Sequence, residues 1–338
     1  MLEYTPGNAR DWARSHLRGV ANVIIPSYRN DLEGMNEAAV RHDVRRNIEF
    51  GFAGALIVGD VALTLDEYTE TLGWAHDEAG GRQLLIHHAT FGTLRQNIDA
   101  ARRAERSGAQ LALLTYPPSF YPRSEQDVFD YTRAFCDATR LAVMLFPVPL
   151  WGFGRLHPAD LSVPLLRKLL DVCPNIVAIK AEGGYPSKMG YIEVHRHFHR
   201  DVVLSCPVEA DMVALGQILP IEFSATSNAE YLGPVVPQMF DLLQRRDFDA
   251  ATALYWRVHP ARKSNQLASA ATVGMGLINR MLWKYQAWLQ GYNGGPLRQP
   301  AMRVSDEFMS RLRQGLLKSG LEPTPLQDHE FFTGRHPA

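Results

Sequence analysis

Only three cysteines occur in the 338-residue chain, Cys136, Cys173 and Cys206, odd in number and widely spaced. They frame neither a disulfide scaffold nor a zinc motif, which is the usage expected in a reducing cytoplasm. No apolar run approaches the ~18 residues that a membrane helix needs. Residues 1–18 carry Glu, Asp and Arg without an apolar centre, so no secretory signal is expected. Neither sign of charge is in excess: Lys plus Arg number 35, Asp plus Glu 36, and the formal net charge is −1. The charges are mixed along the chain and leave no nucleic-acid footprint. No Gly-x-Gly-x-x-Gly follows the first apolar run, and no Gly-x-x-x-x-Gly-Lys-Ser/Thr cradle for phosphates is present. With 46% hydrophobic and 21% charged residues, the composition is that of an ordinary globular protein.

The organisation lies in the apolar runs. Eight short ones read as strands, at 19–26, 54–59, 83–88, 111–115, 141–146, 176–179, 202–205 and 221–226. Helical patterns stand between them. The helix over 93–107 has Gly108 as its stop, and Ser124 caps the next with Asp127 three residues on. Alternation of this kind predicts a parallel α/β architecture. Eight units favour a closed (β/α)8 TIM barrel over residues 1–233 rather than an open sheet. Beyond 234 the pattern changes. Helical segments at 235–245, 248–259 and 273–289 have no strands between them and predict a C-terminal helical appendage over 234–320. Residues 321–338, rich in proline and charge, are expected to form an irregular tail.

Barrels of this kind do chemistry at the carboxyl ends of their strands. That rule singles out Asp60 after the second strand, His87 and His88 on the third, and the segment 116–121 after the fourth. The fifth strand offers Phe146, the sixth Lys180, the seventh Cys206 and Glu209, and the eighth the polar run 224–228. Lys180 stands out. It closes Asn175-Ile-Val-Ala-Ile-Lys180, a run that reads as a strand buried on both faces. Burying an ammonium is costly, and a lysine relieved of its proton is a nucleophile towards carbonyls. The bland alternative is a lysine that snorkels to the rim or pairs with Glu182.

Three stretches resemble the dihydrodipicolinate synthase / N-acetylneuraminate lyase family. They are Ile176-Val-Ala-Ile-Lys180, Leu145-Phe-Pro-Val-Pro149, and the aromatic and proline-rich segment 115–123. The similarity runs over about 19–300. It implies an eight-fold barrel with a C-terminal helical bundle, assembled as a homodimer or homotetramer. It also implies an imine between Lys180 and a 2-oxo acid, most often pyruvate, with no metal or organic cofactor. Departures accompany the match. The family's Gly-Thr-Thr-Gly-Glu stretch, which binds the pyruvate carboxylate, reads Gly59-Asp-Val-Ala-Leu-Thr64 here, and Asp60 would repel a carboxylate unless protonated or turned away. The family's proton-relaying tyrosine falls on Phe146, and its arginine falls near Trp151, although Arg155 could reach back.

Two interpretations follow. In the first, Lys180 forms an imine with a different carbonyl compound and another group moves the protons. The candidates are His88, whose ordinary pKa lies near neutrality, and Tyr121 by position. Adjacent strand residues face opposite ways, so only one of His87 and His88 is expected in the lumen, and His88 is preferred. In the second, the scaffold has lost the reaction and only binds a small molecule. Glu209 could act on the substrate or merely begin a helix. Ser224 and Thr226 could hold substrate oxygens or serve turn chemistry. His195 and His199 share a helix face, which reads as a solvated face. Cys206 reads as a small buried hydrophobe. The expectation is a cytoplasmic lyase or aldolase for a small oxo compound, such as a 2-oxo acid with a bulky apolar group, met by Asp60, Phe146, Trp151, Arg155, Glu209, Ser224 and Thr226. No membrane or nucleic-acid partner is expected. The rival enzyme is a metal-assisted hydrolase built on Asp60, His87 or His88, and His157.

Overall fold

A computed structural model describes residues 2–117, 119–146, 161–181 and 187–338. Its strands are β1 (Gly19–Ile24), β2 (Gly54–Ile57), β3 (Leu84–Ala89), β4 (Leu111–Leu114), β5 (Ala142–Leu145), β6 (Ile176–Lys180), β7 (Val203–Ser205) and β8 (Phe223–Ser227). They are all parallel and close in sequence order, with β8 pairing back to β1. This is a (β/α)8 barrel. Closure leaves no unpaired strand edge.

Helix α1 (Ala9–His16) precedes the barrel, and α2 (Glu37–Glu49), α3 (Leu65–Ala79), α4 (Leu94–Arg106), α5 (Glu125–Ala138), α6 (Val163–Val172), α7 (Ser187–Phe198) and α8 (Glu209–Gly216) follow the first seven strands in turn. Their starts are written locally. The side chains of Asn36, Thr64, Thr93, Ser124 and Ser162 each accept a backbone N–H of the first turn. At Thr64 the cap is reciprocal, because Glu67 reaches back to the Thr64 N–H. Helix α3 ends where Gly80 takes φ 53°, and Gly108 at φ 94° turns the chain into β4, a conformation that favours glycine.

Helix α9 (Val235–Gln244) packs on β1 and on α8, the position of a barrel's eighth helix. The sequence pattern alone groups it with the appendage, because no strand follows it. The remaining helices are α10 (Phe248–Arg257), α11 (His259–Gly274), α12 (Arg280–Leu289) and α13 (Asp306–Lys318). The expected helix over 273–289 is two elements, divided where Asn279 caps α12. Helix α11 begins across Pro260, which its first turn accommodates. The segment after α13 holds one 3-10 turn, Asp328–Phe332, and is anchored rather than loose. Phe331 is fully buried against Tyr285 and Trp288, and Arg335 donates to the Tyr292 and Trp288 carbonyls.

Candidate active site at the mouth of the barrel

Strand pairing decides which side chains share the lumen. Asn22 of β1 donates to Asn47 Oδ1 of α2 at 3.0 Å, so Asn22 faces the helices and Ala21 and Val23 face inward. The in-register pairs then run Val23 with Leu56, Leu56 with Ile86, His88 with Leu113, Leu113 with Met144, and Met144 with Ala178. Residues two apart share a face. The inner face therefore carries His88, Met144 and Lys180 at the carboxyl ends of β3, β5 and β6. Lys180 is 5% exposed, and its Nζ lies 3.6 Å from the centroid of the Phe146 ring. An ammonium over a ring face is attracted to it.

His87 points the other way, into the helix layer. Its Nδ1 is 2.9 Å from the Tyr68 hydroxyl of α3. The same hydroxyl accepts the His88 backbone N–H at 2.9 Å. His88 is held from its other side, since its Nδ1 accepts the Gly59 backbone N–H at 3.2 Å. A nitrogen that accepts carries no proton, so in neutral His88 the proton sits on Nε2. Burial pushes both imidazoles down, His87 to about 3, helped by His88, and His88 to about 4. At His88, Asp60 works against the fall, while Arg280 and Lys180 add to it. Both rings are thus neutral near pH 7.

Neutral burial has a measurable consequence. Below pH 6.5 the unfolded chain takes up protons that the folded rings refuse. Their contribution is complete above pH 6.5 and is lost as pH falls towards about 4 and 3. Each histidine contributes a slope of about 1.4 kcal/mol per pH unit within that window. Denaturant unfolding between pH 7.5 and 4.5 should show stability falling with acid, and His87→Leu should remove about one proton of that dependence.

Asp60, just beyond β2, does not stand alone. Arg280, at the start of α12, grips it with both edges of the carboxylate, Nε to Oδ1 at 2.9 Å and Nη2 to Oδ2 at 2.7 Å. Burial by itself would raise the Asp60 carboxyl, but the charge of Arg280, then His88 and the Arg280 hydrogen bonds hold it below its ordinary value. A carboxylate approaching Asp60 therefore meets an ion pair rather than a bare negative charge.

Other expected groups are placed elsewhere. Glu209 begins α8 with both oxygens gripped by Arg262 of α11, each at 2.9 Å, and it accepts the Tyr231 hydroxyl at 2.6 Å. Tyr121 is 71% exposed. Ser224 pairs in register with Val20, on the helix side, and donates to the Cys206 carbonyl at 2.8 Å. Thr226 is buried at the end of β8, and its Oγ1 has no hydrogen-bond partner among the described residues. Trp151, Arg155, His157 and Glu182 lie outside the described residues. The rings of His195 and His199 stack at 4.7 Å. Among the described residues no three His, Cys, Asp or Glu side chains gather as a metal site would require. No helix among them is long and apolar enough to cross a membrane.

Two residues were missed in the sequence. Arg280 is one: an arginine on a helix reads as solvated, and its approach to Asp60 spans 220 positions. Lys284 is the other. It is 2% exposed, donates to the Pro26 carbonyl at 3.0 Å, and burial lowers it to about 7 against the opposing pull of Asp43. Such an amine is chemically suited to attack a carbonyl. Its cavity, however, lies outside β1, is lined by Asp43, Glu230 and Tyr292, and measures about 10 Å³. That is room for about one water and no substrate.

The molecule is thus a β/α-barrel enzyme whose buried lysine and neutral imidazole share the lumen where such barrels do chemistry. It belongs to the dihydrodipicolinate synthetase family, whose model matches residues 16–318, and is an enzyme of the carbon–carbon lyase kind. A 4-hydroxy-tetrahydrodipicolinate synthase of Methanopyrus kandleri is 23% identical over 315 residues, 91% of this chain and 98% of that protein. An N-acetylneuraminate lyase of Rhizobium meliloti is 24% identical over 305 residues, 89% of this chain and 94% of the relative. The crystal structure of a dihydrodipicolinate synthase from Aquifex aeolicus has the same fold, with a TM-score of 0.75 at 17% identity, covering 91% of this chain and 99% of that one.

Proposed function

We propose that Lys180 forms an imine with the carbonyl of a 2-oxo acid, such as pyruvate or a bulkier analogue, for aldol cleavage or addition or for hydration or dehydration. The observation that carries this reading is a lysine amine buried at the carboxyl end of β6, against Phe146 and on the same face as His88. The amine nitrogen adds to the carbonyl carbon and water leaves. The protonated imine then draws electrons from the neighbouring carbon, so a bond there can break or form. The relatives, one named a synthase and the other a lyase, agree with carbon–carbon bond chemistry.

His88 suits a different task from the one its residue type first suggests. A neutral ring with Nδ1 tied to Gly59 presents Nε2–H to the lumen. It is a hydrogen-bond donor for a developing oxyanion rather than a ready base. His88→Phe should therefore lower kcat by roughly 10²- to 10³-fold, the usual cost of one such donor. An unchanged kcat in steady-state assays would remove His88 from the site.

The decisive experiment is borohydride reduction in the presence of pyruvate, other 2-oxo acids and aldehydes, read by intact and peptide mass spectrometry. A stable adduct on Lys180 is the expected result. No adduct from any carbonyl on folded protein would overturn the imine and favour a barrel that binds without turnover.

A further inference from the structure

We infer that Arg280, reaching from the C-terminal helices onto the barrel mouth, is the counter-ion for the carboxylate of the substrate. The inference deepens the imine reading and rests on it. It names what replaces the missing pair of hydroxyls after β2.

The guanidinium is a planar fork with five N–H donors. Asp60 occupies one edge, through Nε and Nη2. Nη1, with two N–H groups, has no acceptor among the described residues. The side chain is nonetheless only 11% exposed, and its Cζ stands 4.7 Å from the centroid of the Trp283 ring. A guanidinium largely covered by protein but with one edge left open is set to receive an anion. Among acceptors, a carboxylate matches the fork in both charge and geometry.

The position agrees with the chemistry. Asp60, which Arg280 grips, follows Gly59, whose backbone N–H reaches His88 Nδ1 at 3.2 Å, and His88 shares the inner face with Lys180, so Arg280 and Lys180 stand at the same end of the barrel. In a 2-oxo acid the carboxylate is bonded directly to the carbonyl carbon. The group that holds it must therefore stand beside the amine that attacks. Asp60 then has a positioning role: it orients the fork before substrate arrives, so less freedom is lost on binding. The competing account is a latch that merely ties α12 to β2.

The test compares pyruvate with methyl pyruvate, the same ketone without the negative charge, in borohydride trapping on the full-length protein. Wild-type protein, Arg280→Lys and Arg280→Met are each titrated with both. In Arg280→Met the half-saturating pyruvate concentration should rise roughly 100-fold, and the preference for pyruvate over its ester should collapse. Arg280→Lys, a point charge without the fork, should fall between. The preference is a ratio within each variant, so reduced folding or stability does not move it. An unchanged ratio in Arg280→Met would leave only the latch and overturn the inference. If wild-type protein forms no adduct with any carbonyl, the imine reading fails instead. Calorimetry with lactate, a carboxylate lacking the ketone, then decides the site separately. Lactate binding that weakens in Arg280→Met supports it, and binding that does not overturns it.

Discussion

Replacing Lys180 with alanine should abolish turnover, with a loss on the order of 10⁴-fold or more in kcat, as expected when a covalent nucleophile is removed. Lys180→Arg should be as inactive, although it keeps the charge, because a guanidinium stays protonated and does not attack carbonyls. Both variants should also lose the borohydride adduct. Lys284 gives the experiment an internal control, since among the described residues Lys180 and Lys284 are almost wholly buried, at 5% and 2% exposure. Burial alone would nominate either. Of the two, Lys180 is the one that opens on the lumen, so the adduct should map to the peptide carrying Lys180 and never to that carrying Lys284. Activity of Lys180→Ala within tenfold of wild type would exclude the imine.

The largest loss of stability is expected at Arg262. Its side chain is 3% exposed and satisfies both oxygens of Glu209, itself 13% exposed, while its Cζ stands 4.0 Å from the centroid of the Tyr255 ring. Arg262→Met would strand a carboxylate in a site that water hardly enters. Breaking a buried pair from one side costs about 3–5 kcal/mol. Removing both charges is cheaper, because no ion is left behind. The double variant Glu209→Gln, Arg262→Met should therefore recover most of the loss. Denaturant midpoints of the wild type, both single variants and the double variant complete the cycle. A loss below about 1 kcal/mol for Arg262→Met would mean that the pair behaves as a solvated one.

The barrel was legible because its strands are short apolar runs at regular intervals, and because a strand buried on both faces has little room for polar residues. Lys180 was conspicuous against that background. Parity along β3 set His87 and His88 on opposite sides, while the choice of His88 for the lumen needed the pairing register of the strands. The sequence could not show what binds the polar candidates. Glu209 reads identically whether its carboxylate meets substrate or Arg262, and the choice depends on a helix that begins 50 positions later. Arg280 left no local signal at all, because a helix places arginines on solvated faces by default. Helix α11 was overlooked for a different reason: Pro260 suggests a break, yet falls in the one turn that tolerates it.

The neighbouring histidines of β3 bear on how this family can change. One ring serves the lumen and the other serves the wall, and only strand parity assigns them. Substitutions along β3 alter one side of the barrel at a time. A single-residue insertion or deletion exchanges the two sides at once, stripping Tyr68 of His87 while turning the lumen over to it. Lineages carrying this strand can therefore drift in side chain far more readily than in length, and new specificities should arise by replacement on the inner face, with the loops beyond the strand left to absorb changes of size.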